Sequence, residues 1–158
     1  MTASVALNFE VLAENKSHDN LRLRLGSYRH TCDSFYLDVD DTTTASSDLR
    51  GNLARLLEQW RNQVDGLWGA GGTAYLPYEF SDECTGWLRV SSADGRNAAV
   101  QAGWSPVNGW SFAPSDYLAT APEITDFEPE ANAQIECALD DLSQCIARNA
   151  ETFTASRQ

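Results

Sequence analysis

The sequence predicts an α+β fold, an antiparallel sheet of about seven strands built from two meanders with two helices, in the order βββαββββα. Three observations lead there. Residues 3–12, 21–25 and 35–39 alternate apolar with polar at the period of a strand, and so does Thr73–Ala113, which holds three of the five tryptophans. Between and after these stretches, at 49–64 and 135–146, the apolar period lengthens to that of a helix.

Taken in order, Val5, Leu7, Phe9 and Val11 define the first strand and Leu21, Leu23 and Leu25 the second. Pairing Val11 with Leu21, Phe9 with Leu23 and Leu7 with Leu25 puts the leucines on one buried face. A loop over Gly26–Asp33 and a third strand over Phe35, Leu37 and Val39 complete this meander. The Thr/Ser-rich segment 42–48 offers N-caps for a helix whose stripe is Leu49, Leu53, Leu56, Leu57, Trp60 and Val64. Gly66, Gly69, Gly71 and Gly72 end it, with Leu67 and Trp68 anchoring the turn to the core.

In the second meander the apolar faces read Ala74, Leu76, Tyr78 and Phe80, then Leu88 and Val90, then Ala98, Val100, Ala102 and Trp104, then Trp110 and Phe112. Two-residue turns at Asp94-Gly95 and Asn108-Gly109 would mix these faces. Three-residue turns with a left-handed glycine restore the match, pairing Leu88 with Val100, Val90 with Ala98 and Trp104 with Phe112. With the loop Ser81–Thr85, Tyr78 then stands opposite Leu88, Glu79 opposite Trp87 and Pro77 opposite Arg89. The irregular stretch 114–128 is anchored by Tyr117, Leu118, Ile124 and Phe127. A second helix starts at Pro129 and buries Ile135, Leu139, Leu142 and Ile146, with a frayed tail after Phe153.

Length and composition bound the function. At 158 residues, 42% hydrophobic and 22% charged, the chain reads as one globular domain. No apolar run approaches the roughly 20 residues of a membrane span, and no basic segment precedes an apolar one at the N-terminus, so the expected location is the cytoplasm. The net charge of −12 argues against nucleic acid and membrane surfaces and favours a basic partner, although acidity also serves solubility. Cys32, Cys84, Cys137 and Cys145 lack CxxC spacing and read as free thiols. Cys137 and Cys145 on one helix would lie about 12 Å apart along its axis.

No constellation identifies a reaction. Asp38, Asp40 and Asp41 resemble a metal corner, but Thr43 and Leu49 stand where an EF-hand loop needs glycine and glutamate, so a solvated acidic corner is the simpler reading. His30 beside Cys32 and Asp33 suggests a partial metal site or a Cys–His pair, against which stand two surface loop residues. Cys84, in SDECTG, has no histidine that the sequence places near it. No cofactor and no metal are expected, and the chain reads as more a binder than an enzyme. The reverse face of the second meander, with Tyr75, Pro77, Glu79, Trp87, Arg89, Ala99 and Gln101, mixes aromatics with charge in the manner of an interface, unless the rest of the chain buries it.

YLPYEFSDECTGWLRV, followed by GWSFAPSDY and ITDF, resembles segments of small acidic bacterial proteins of uncharacterised families, some of which accompany secreted toxins as immunity proteins. The resemblance covers at most residues 75–127 and implies an α+β inhibitor that masks a toxin's active surface. The leading expectation is thus a non-enzymatic protein-binding module. Asp38, Asp40, Asp41, Asp82 and Glu83, with Tyr75, Glu79, Trp87 and Arg89, would meet a protein partner, a basic toxin in that reading. The alternatives are a small-molecule site or small enzyme using a pocket near Tyr75, Glu79, Trp87 and Arg89, and a structural homodimer.

Overall fold

A computed structural model describes residues 6–12, 19–33, 49–81, 83–108 and 111–155. It is α+β, with the strands in two separate antiparallel sheets rather than one: β1-β2-β3 and β4-β5-β6-β7. The small sheet comprises β1 (Leu7–Val11), β2 (Leu21–Leu25) and β3 (Tyr28–Cys32). Helix α1 (Leu49–Leu67) leads to β4 (Gly72–Phe80), β5 (Thr85–Ser92) and β6 (Asn97–Ser105). A 3-10 turn (Pro114–Asp116) and the single-turn helix α2 (Tyr117–Thr120) precede β7 (Glu128–Ala138), which runs directly into α3 (Leu139–Ala155).

In the small sheet β1 and β2 pair as the alternation predicts, with Leu7 opposite Leu25, Phe9 opposite Leu23 and Val11 opposite Leu21. The expected loop over Gly26–Asp33 is instead a tight turn and a strand. Gly26 takes φ +62° as the first residue of a two-residue turn, the geometry that a Gly-Ser pair favours between twisted strands. Leu25 then pairs with Tyr28, Leu23 with His30 and Leu21 with Cys32, so these three side chains continue the buried face. The strand expected at Phe35–Val39 and the N-caps at 42–48 lie outside the described residues.

Helix α1 buries Leu53, Leu56, Leu57, Trp60 and Val64, as its period dictates. It packs along α3 and against β4, and the Trp60 indole donates to the Pro77 carbonyl at 2.9 Å. Leu67 is buried, but Trp68 is 49% exposed, with the Arg96 guanidinium 5.2 Å from its ring centre, and does not anchor the turn.

In the large sheet the predicted faces survive where the predicted pairings do not. Val90 lies opposite Val100 and Leu88 opposite Ala102, two residues from the expected register. The β5–β6 turn is longer because the Asp94 carboxylate accepts from the backbone N–H groups of Arg96 (2.9 Å) and Asn97 (2.8 Å), which holds its own turn together. Gly95 is left-handed at φ +71°, as expected. An even shift leaves alternation intact.

Two elements differ in kind. Trp104 pairs with Gly86 and Glu128 rather than with Phe112, and β7 fills the place beside β6, with Val100 opposite Ile135 and Ala98 opposite Cys137. Gly109 and Trp110 of the expected hairpin lie outside the described residues. The helix expected from Pro129 therefore begins only at Leu139, and Ile135 and Cys137 belong to the strand. Cys137 and Cys145 thus sit on different elements, and the helical-spacing argument between them does not apply. Where β7 bulges out, the Gln101 amide donates to the carbonyls of Glu130 (2.9 Å) and Ala133 (3.1 Å). Of the expected anchors in 114–128, Tyr117 and Ile124 are buried, Phe127 is half-buried and Leu118 is exposed.

Candidate functional site

Four residues separate Phe80 from Thr85, one fewer than the loop expected, and β4 carries a bulge between Pro77 and Glu79. Upstream of the bulge Tyr75 pairs with Arg89, Leu76 with Leu88 and Pro77 with Trp87; downstream Glu79 pairs with Gly86 and Phe80 with Thr85. One extra residue exchanges the faces of everything beyond it. Phe80 passes to the reverse face, where its ring lies 5.6 Å from that of Phe112. Glu79 passes to the inner face and away from Tyr75, Trp87 and Arg89, with which the alternation grouped it.

There Glu79 meets β3. Its Oε1 is 3.2 Å from His30 Nε2, and its Oε2 accepts from the Asp33 N–H at 3.2 Å. Cys32 is fully buried two residues along the same face, and one ligand atom from each of His30, Cys32 and Glu79 lies within 4.8 Å of the others. Aromatic rings enclose the imidazole. Trp104 stands edge-on at 5.1 Å and Tyr78 at 5.8 Å, while Tyr28 lies parallel at 6.4 Å. Trp104 is itself fixed by its indole N–H, which donates to Glu130 Oε1 at 2.9 Å. Burial, and then the neighbouring Glu79 carboxylate, push the Cys32 thiol well above its ordinary pKa. Burial likewise raises Tyr78 and, less strongly, Tyr28. His30 is thus a half-buried strand residue rather than a surface loop residue.

Tyr75, Trp87 and Arg89 do come together, on the reverse face. They floor an open groove of about 630 Å³ whose far wall is the 117–124 segment with Gln63 of α1. Trp87 is buried as part of this floor, its indole donating to Thr85 Oγ1 at 2.6 Å and its ring stacked 5.7 Å from Phe112. The Arg89 guanidinium sits 4.7 Å over the Phe127 ring, and Phe127 in turn packs edge-on against Tyr75 at 5.6 Å. Among the described residues no carboxylate pairs with Arg89. Tyr117 closes the wall by donating its hydroxyl to Gln63 Oε1 at 2.6 Å, and burial raises its pKa.

Of the remaining expected site residues, Asp38, Asp40, Asp41 and Asp82 lie outside the described residues, and Glu83 is exposed. No protein-family model, curated protein or solved structure matches the chain. Among the described residues no helix is long and apolar enough to cross a membrane.

Proposed function

We propose that the protein binds a small organic anion with an apolar or aromatic body in the groove over Tyr75, Trp87 and Arg89. The observation that carries this reading is Arg89: a guanidinium held in place by Phe127, without a carboxylate partner among the described residues, in a chain of net charge −12. An arginine so placed offers a planar fork to a carboxylate or phosphate. The groove's volume falls in the range of roughly 300–1,000 Å³ usual for small-molecule sites. Tyr75, Leu118 and Pro122 supply apolar surface over the buried Trp87, while Gln63, Thr73 and Ser91 supply polar groups for orientation. Glu123 on the far wall disfavours an anion placed against it rather than against Arg89.

Calorimetric titration with a panel of aryl and alkyl carboxylates and phosphates tests this. At least one should bind, and Arg89→Met should weaken it by roughly tenfold to a hundredfold, the range for a hydrogen bond to a charged group. Failure of the whole panel, or equal binding by Arg89→Met, would overturn the reading.

The net charge itself favours a second reading, a non-enzymatic module that captures a basic protein such as a secreted toxin. Capture that weakens as salt rises supports it, and salt-independent capture counts against it. The four free thiols fit a reducing compartment such as the cytoplasm.

A further inference from the structure

We propose that His30, Cys32 and Glu79 form a three-ligand site for a divalent zinc ion at the seam between the two sheets. The ligand set is the first support. Imidazole, thiolate and carboxylate are the three side-chain donors zinc takes, and three protein ligands leave a fourth position to solvent. That position can be reached, because the His30 and Glu79 side chains remain 25% and 12% exposed while Cys32 forms the closed end.

Geometry is the second support. Around a tetrahedral zinc, nitrogen and oxygen ligands at the usual bond lengths stand about 3.4 Å apart, and nitrogen and sulfur about 3.6 Å. The observed His30 Nε2 to Glu79 Oε1 separation is 3.2 Å, and all three ligand atoms lie within 4.8 Å of one another. Closing the sulfur onto an ion thus takes an adjustment of about 1 Å, within reach of a side-chain rotation.

The third support is what places Glu79 there. A regular β4 would carry this carboxylate to the reverse face. The bulge between Pro77 and Glu79 delivers it instead to the inner face, within reach of the His30 imidazole and the buried Cys32 thiol. Zinc, one thiolate and one carboxylate sum to zero charge, which suits a largely desolvated site, and loading releases the Cys32 proton to solvent. The Asp33 N–H on Glu79 Oε2 orients the carboxylate and leaves Oε1 turned towards the imidazole.

The test is titration of the chelator-stripped full chain with Co²⁺ and then Zn²⁺. Co²⁺ should bind at one equivalent with a thiolate-to-metal charge-transfer absorption that Zn²⁺ abolishes, and excess Zn²⁺ should raise the unfolding midpoint. Cys32→Ser should eliminate the absorption, whereas Cys84→Ser should retain it. His30→Gln and Glu79→Gln should each weaken Zn²⁺ by roughly tenfold or more, and they report on the site even if Cys32→Ser fails to fold. Absence of the absorption, its persistence in Cys32→Ser, or unchanged affinity in both His30→Gln and Glu79→Gln would overturn the proposal.

Discussion

At the scale of single residues, Tyr78 shows how tightly the seam between the sheets is built. Its ring lies over Gly86 so closely that a Cβ there would stand 2.7 Å from ring atoms Cε1 and Cζ. Tyr78 is buried, touches both His30 and Trp104, and donates its hydroxyl to the Gly103 carbonyl at 3.3 Å, so it has little room to retreat. Gly86→Ala should therefore cost about 1–3 kcal/mol, the penalty of overpacking, as read from urea unfolding. Gly66 makes the contrast. It is exposed in the last turn of α1 with nothing within 4 Å of a Cβ, and Gly66→Ala should gain about 0.4–1 kcal/mol from the unfolded state's lost freedom. Equal effects at the two glycines would mean that the Tyr78 contact is not what makes Gly86 necessary.

At the scale of elements, α3 does more than cover apolar surface. Strand β1 is an edge, and α3 supplies the partners that a further strand would have given it. Asn149 accepts from the Phe9 N–H at 2.7 Å and donates to the Phe9 carbonyl at 3.0 Å, while the Cys145 thiol lies 3.1 Å from the Leu7 carbonyl. Positions 145 and 149 are one helical turn apart, so one face of α3 serves both contacts. Asn149→Ala leaves the Phe9 groups unpaired in a buried place and should cost about 1–3 kcal/mol by denaturant titration. A loss below a few tenths would show that water replaces the amide.

Periodicity in the sequence made β1, β2, α1 and their buried faces legible, because each of these elements has one wet side and one dry side. It failed at β7, where Ile135, Leu139, Leu142 and Ile146 keep helical spacing across a strand-to-helix junction. The open edge of β6, with Gln101 bridging the bulge, recruits the first of those residues into the sheet. The candidate zinc ligands were half legible. His30 and Cys32 are a same-face pair once β3 is recognised as a strand, but no pattern around Glu79 announces the bulge that turns it inward.

At the scale of the whole molecule, stability should narrow at both ends of the pH range. On the acid side Asp94 is held down to about 2 from 3.8 by the N–H groups of Asn97 and Arg96, so its contribution is complete above 3.8 and disappears as pH falls towards 2. On the alkaline side burial, with Cys145 and Asp141 adding to it, pushes the Cys137 thiol up from 9.0 to about 11. Between those values the unfolded chain releases a proton that the folded one keeps, so stability is full below 9.0 and is lost as pH approaches 11. Self-repulsion of a chain at −12 would blur this arm, because it also grows with pH as further groups ionise. High salt screens that long-range term but reaches a buried thiol far less. Unfolding midpoints measured in high salt should therefore still fall above pH 9, and Cys137→Ser, which has no proton to lose there, should flatten the fall. An unchanged slope in Cys137→Ser would assign the alkaline loss elsewhere, to the other raised thiols, Cys32 first among them, to the buried tyrosines or to residual repulsion.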